Sequence, residues 1–275
     1  MTIKNFAKHF PMLRRLRKAQ RKWCFYAKMR FDGNHYAVLR SCEMLPYPIF
    51  EMKCLLLNED TGFDMQYQQN KAYNLRIAAK TLDMIRINPG ETFSFWKLVK
   101  NADKYTPYKD GLCLIDGAIK PSNGGGLCQM SNTLFWIFLH TPLTILERHT
   151  HTVRDFPYPK GDVPEGADAT VAQGLTDLKL RNDTDITFEI HLSFDERYMY
   201  AAVFANKPKE YECRIVQRDL RYIKYGAKIY ERVTIVRQQI DPITHEVALE
   251  TVLYENKCEI NYKLPDDMPI YMQEE

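Results

Sequence analysis

Three reactive residue types follow one another along the chain: a thiol at Cys128, imidazoles at His149 and His151, and a carboxylate at Asp168. A cysteine nucleophile needs a base to take its proton and a carboxylate to hold the imidazole in one tautomer. This set therefore carries the groups for thiol-based acyl chemistry. Cys128 follows Gly124-Gly125-Gly126 and opens the run Leu127–Leu139, with apolar residues at positions 127, 130, 134, 137 and 138. That spacing is helical, and Phe135 and Trp136 make the run apolar nearly all round, so a buried helix is expected. The three glycines allow positive φ and close backbone approach. Cys128 then stands in the first turn, where unpaired N–H groups and the helix dipole favour a thiolate. The competing reading makes it a small core residue under glycines that merely let two backbones touch.

In the catalytic reading Cys128 is the nucleophile, His151 the base, with His149 as the alternative, and Asp168 the group that orients it. Gln129 or the backbone N–H of Cys128 would help stabilise an oxyanion. Gly124, Gly125, Gly126, Ser131, Phe95 and Trp96 would line the substrate. On a strand, His149 and His151 face one side and could hold a metal with Asp168 or Cys128. Two histidines fall short of the three or four ligands of a stable zinc site, so no metal and no other cofactor is expected. Three classes stay open: a cysteine-dependent hydrolase or acyltransferase acting on a peptide or amide, a non-catalytic binding or regulatory module, and a metal site.

The elements that must position these residues read as an α+β fold. The expectation is a buried central helix carrying the glycine–cysteine loop, packed on an antiparallel sheet that holds the residues around 145–155 and 168–172. Helices come early and strands late, which does not build a parallel βαβ sheet. Residues 5–30 pattern as a basic amphipathic helix that Pro11 interrupts. It would lie on an anionic membrane face or a partner, or pack one edge on the domain. A strand is expected over Ile49–Leu57, and a helix over 66–87 with Ala72, Leu75, Ala79, Leu82 and Ile85 on one stripe, stopped by Asn88-Pro89-Gly90. A Tyr-rich loop (101–110) leads into a strand over Leu112–Ile119. Strands follow at Leu143–Leu146 and Val153–Phe156, then a Pro/Gly-rich loop from Pro157 to Gly166. Beyond it come period-two runs at Leu178–Leu180, Thr187–Phe194, Tyr198–Phe204, Cys213–Val216, Lys228–Gln239 and Val247–Lys257. Glu274-Glu275 reads as a frayed tail. The chain divides into a basic helical segment with a lead-in strand (1–58), a core (59–190) and a β-rich C-terminal extension packed on it (191–275).

Composition excludes less. The 275 residues carry 38 Lys and Arg against 35 Asp and Glu, a net charge of +3, so no global field points to nucleic acid. The charge is uneven, since no acidic residue precedes Asp32. Lys and Arg interrupt every window that could serve as a secretory apolar region, and no segment approaches a membrane-spanning length. Seven scattered cysteines without a CxxC pair then read as reduced thiols in a cytoplasmic protein.

The order of a helix-borne cysteine, then histidine, then aspartate on neighbouring strands resembles the transglutaminase-like and papain-like cysteine enzymes. A more specific resemblance lies in the strings Lys80-Thr81-Leu82, Asn88-Pro89-Gly90-Glu91-Thr92-Phe93-Ser94-Phe95-Trp96, Gly124-Gly125-Gly126-Leu127-Cys128-Gln129-Met130-Ser131-Asn132, Asp168-Ala169-Thr170-Val171 and Asp177-Leu178-Lys179-Leu180-Arg181-Asn182. Together they resemble the VanW family over about residues 60 to 190, and Gln20–Asp32 and Pro142–Leu146 are similar as well. The resemblance implies a link to glycopeptide (vancomycin) resistance and cell-wall processes; in the hydrolase reading the substrate would be peptide-like or a cell-wall precursor. It carries no established activity.

Overall fold

The computed structural model of the chain describes residues 11–58, 62–115, 118–154, 163 and 165–272. It is a β-rich α+β fold with four helices among the described residues. In order the elements are α1 (Pro11–Phe31), β1 (His35–Tyr36), β2 (Tyr47–Leu55), α2 (Met65–Leu82), β3 (Arg86–Ile87), β4 (Glu91–Ser94) and α3 (Phe95–Val99). Then come β5 (Asp110–Ile115), β6 (Ala118–Asn123), α4 (Leu127–Leu139), β7 (Thr144–Glu147), β8 (Val153–Arg154), β9 (Lys179–Arg181), β10 (Phe188–Phe194) and β11 (Tyr198–Ala205). The last four are β12 (Glu212–Tyr225), β13 (Lys228–Ile240), β14 (Val247–Ile260) and β15 (Ile270–Met272). The sheets run β1-β4-β9-β7, β2-β11-β10-β3, β15-β12-β13-β14-β8 and the hairpin β5-β6.

Helix α4 occupies the span its apolar spacing predicts, and Met130, Leu134, Phe135, Ile137 and Phe138 are fully buried. It lies against β2 and β11, the antiparallel sheet that contains β10 and β3. That corrects the expectation that it would pack on a sheet holding residues 145–155 and 168–172. Residues 148–151 and 168–171 have no strand pairing, because their backbone groups bond to side chains and to each other, as in Thr170 N–H to His149 O at 2.7 Å. Among the described residues three strand pairs are parallel (β1–β4, β12–β15 and β14–β8), but each joins only two or three residues, and no described helix crosses over between long parallel strands.

Two other spans differ from expectation. Helix α2 begins with the Asp64 side chain accepting from Gln66 N–H, and it ends at Leu82 rather than 87. Met84 takes a left-handed φ of 62°, which unwinds the chain and sends Ile85 into a bridge with Arg40. The strand expected over Leu112–Ile119 is a hairpin, β5–β6, whose turn lies outside the described residues. Helix α1 is described from Pro11 on. Residues 5–10, most of the Pro157–Gly166 loop and Glu274-Glu275 also lie outside the described residues. One apolar core runs from Met29 to Ala205, with Ile215, Leu253 and Tyr254 of the C-terminal strands packed against it. All seven cysteines are unpaired. No helix among the described residues is long and apolar enough to cross a membrane.

The glycine loop is held by backbone contact. A methyl group on Gly125 would come within 2.2 Å of the Gly111 carbonyl carbon, so β5 lies directly on the loop. Buried Asn74 of α2 clamps the same place, donating to Lys109 O at 2.9 Å and Gly125 O at 3.0 Å. Gly126 caps α4 with φ 95°, and Gly124 turns with φ 75°. Because the obstacle at Gly125 is main chain, no rotamer change relieves it. Gly125→Ala should lower stability by about 1–3 kcal/mol or more, read as a lower urea midpoint. A wild-type midpoint in that variant would mean that the contact between the two backbones is loose.

Candidate functional site

Cys128 is the second residue of α4, beyond a cap that has no side-chain partner for the helix N–H groups. Its Sγ lies 3.5 Å from Thr170 Oγ1 and 3.6 Å from Val171 O. Thr170 Oγ1 is in turn 2.9 Å from His151 Nε2, and His151 Nδ1 is 2.9 Å from Asp168 Oδ2. The hydrogen-bonded path from thiol to carboxylate therefore passes through a threonine hydroxyl. Burial pushes the Cys128 thiol pKa up, but the neighbouring imidazole, Thr170 and Val171 outweigh it, and the net shift is downward. For His151, burial favours the neutral ring, yet Asp168 and the thiol prevail and raise the pKa to about 9. Both shifts favour a thiolate–imidazolium pair. The imidazole is 32% exposed, Cys128 is half-buried and Asp168 is buried.

Asp168 is buried, and its charge is met on every side. Arg148 donates to its Oδ1 at 2.9 Å and through Nε to its carbonyl at 2.6 Å, while Thr150 Oγ1 and His151 N–H also donate to the carboxylate. Burial opposes ionisation, but His151 and Arg148 win and hold the carboxyl well below its ordinary range. Arg148 is itself fixed by Gly166 O, by Asn256 Oδ1 at 3.0 Å, and by the face of Tyr254, whose centroid is 4.3 Å away. Cys258 Sγ donates to His151 O at 2.9 Å. Asn256, Tyr254 and Cys258 all stand on β14, and β14 pairs with β8, the strand that directly follows this segment. Thr170 stands inside one of the quoted strings and Arg148 within the segment 145–155, but neither type signals such a role. Asn256, more than a hundred residues from Arg148, left no signal at all.

The remaining candidates are placed elsewhere. His149 bonds Glu147 Oε1 at 3.1 Å, so the two histidines leave an irregular segment toward different partners instead of sharing a strand face. Among the described residues no three His, Cys, Asp or Glu side chains are grouped to hold a metal ion. The Gln129 side chain donates to Leu55 O at 2.6 Å and is tied to β2. Ser131 is buried and donates to Ala169 O, locking α4 to the loop that carries Thr170. Phe95 and Trp96 belong to the core, with Trp96 Nε1 bonded to Thr176 O, so they form no substrate wall. Of the glycines, Gly125 is consumed by contact with β5, and Gly126 packs on the Lys71 stem.

Removing Arg148 should expose what it does. Arg148→Met leaves the buried Asp168 carboxylate without its nearest permanent cation, a change that costs about 3–5 kcal/mol. Because the native pKa of Asp168 is depressed below the ordinary 3.8, its contribution to stability is present above that value and lost as pH falls. The stability lost on acidification below about pH 4 should therefore be smaller in the variant. Urea melts across that range check both statements, and parallel curves for the two proteins would refute the second.

The family model described as "VanW like protein" matches residues 70–204. The Vancomycin B-type resistance protein VanW of Enterococcus faecalis is 49% identical over 270 residues, covering 98% of this chain and 98% of that protein. The uncharacterized protein YoaR of Bacillus subtilis is 32% identical over 164 residues, which cover 58% of this chain and 52% of that protein. The chain thus spans about half the length of this second relative. No solved structure matches. Similarity at this level along nearly the whole of both proteins, together with the matched model, means that the chain belongs to the VanW family.

Proposed function

We propose that the chain is a cysteine-dependent hydrolase or acyltransferase acting on an amide of a peptide-like cell-wall precursor, in the service of vancomycin resistance. The observation that carries the reading is the continuous path Asp168–His151–Thr170–Cys128. In the ion-paired state both imidazole N–H groups are donors: Nδ1–H to Asp168 and Nε2–H to the Thr170 hydroxyl, which donates onward to the thiolate. The thiolate attacks the substrate carbonyl. The backbone N–H of Cys128, in the first turn of α4, is the group offered to the developing oxyanion. The proton held by His151 then passes to the leaving amine, and water or a second amine releases the acyl group. The order of cysteine on a helix, then histidine, then aspartate is the feature shared with transglutaminase-like and papain-like enzymes. The biological role rests on the name of the Enterococcus relative, and the amide substrate on the acyl chemistry open to a thiolate beside an imidazolium.

Alkylation rates test this directly. Cys128 should react with iodoacetamide near neutral pH well ahead of the exposed Cys42, and its rate should fall off only at pH values well below the ordinary thiol range. His151→Ala and Thr170→Val should each slow it by roughly tenfold or more. Cys128→Ser should abolish activity at an unchanged melting temperature. If Cys128 reacts no faster than Cys42 and ignores both substitutions, the non-catalytic alternative, a module that recognises a wall fragment or a protein, takes its place.

A further inference from the structure

Helix α1 has two halves with different surroundings. Its C-terminal half is docked, with Met29 buried and Phe25 and Tyr26 packed on the core. Its N-terminal half is exposed on every described side chain from Met12 to Trp23. Yet Met12, Leu16, Ala19 and Trp23 recur at intervals of four, three and four residues, which puts them on one stripe of that half. Met12 is 75% exposed, Leu16 57% and Trp23 72%. A polar helix in water has no use for a tryptophan and a methionine in line on its free face. Cations flank the stripe along one edge, Arg15, Lys18 and Lys22, with no acidic residue anywhere in the helix.

We infer that this face of α1 is a docking surface for an anionic lipid membrane. An apolar stripe with a tryptophan seats among acyl chains and headgroups, while the flanking Lys and Arg side chains reach lipid phosphates. A protein partner with the same complementarity would need its own acidic, grooved surface, whereas an anionic bilayer supplies both chemistries over its whole area. The docked half keeps α1 rigid on the body. The α1 backbone at Lys22 lies against Gly174, where an added Cβ would meet Lys22 Cα at 3.3 Å, and Tyr26 Oη accepts from Gln173 at 2.9 Å. Gln173 and Gly174 follow Thr170 and Val171 in one loop, so membrane docking fixes the orientation of that loop toward the lipid surface. The inference does not depend on the chemistry proposed for Cys128.

Vesicle binding with the full chain decides it. Vesicles of phosphatidylcholine mixed with phosphatidylglycerol should sediment the protein, and pure phosphatidylcholine vesicles should not. Trp96 and Trp136 are buried, so a blue shift of tryptophan emission on binding reports Trp23. Leu16→Ser with Trp23→Ser should weaken binding by roughly tenfold or more, and so should Arg15→Gln with Lys22→Gln or a rise in salt. All four positions are exposed, and unchanged far-ultraviolet circular dichroism checks that each variant folds. Sedimentation equal on the two vesicle types, or binding indifferent to both double variants, would overturn the inference. A concentration-dependent dimer lost in Trp23→Ser, with no vesicle binding, would overturn it in favour of a second copy of the chain.

Discussion

A carboxylate buried away from water is costly unless its charge and its lone pairs are met, and the region around Asp168 is built to that requirement. Four donors converge on the side chain from a run of four residues, Arg148 to His151. The run cannot form a strand, because its main chain and side chains are turned inward to the carboxylate. That irregular segment is what brings an imidazole to the threonine beside Cys128. The site thus depends on one buried negative charge more than on the helix that carries the thiol.

The charge is held from two directions. On one side α4 ties the loop, through Ser131 to Ala169 O and Asn132 Oδ1 accepting from Ala169 N–H. On the other, β14 supplies Asn256, Tyr254 and Cys258. The thiol comes with the first support, while the guanidinium and the backbone of the base are gripped by the second. Rigid positioning by two independent scaffolds is the condition under which a hydrogen-bonded relay keeps its geometry through a reaction. It also explains why Phe95 and Trp96, aromatic and near in sequence to a turn, go to the core: Ser94 and Trp96 N–H are spent on buried Asp177.

How much of this was legible follows from the range of each interaction. The span of α4 could be read because helical periodicity is local, and the close backbone approach of the glycines because only glycine tolerates it. That Cys128, His151 and Asp168 come together was legible from residue type and order. The sheet that α4 packs on was not, since an apolar helix face is satisfied by any apolar sheet, and β2 and β11 lie far from it in sequence. The early end of α2 escaped because Met84 adopts positive φ, a conformation with no sequence signal at methionine. Histidines two apart suggested a shared strand face, but the pull of Asp168 on one and Glu147 on the other overrode the period of two. Thr170, Arg148 and Asn256 went unread because their roles come only from long-range contacts.

The clamp from β14 has a consequence for modularity. The segment matched by the family model closes at residue 204, after every group of the thiol–imidazole–carboxylate path but before Tyr254, Asn256 and Cys258. The thiol, imidazole and carboxylate and the parts that immobilise them therefore belong to different stretches of chain. A relative that keeps the first stretch and replaces the second inherits the inventory of the site without its rigidity. It must then supply another anchor for the arginine, or let its histidine wander.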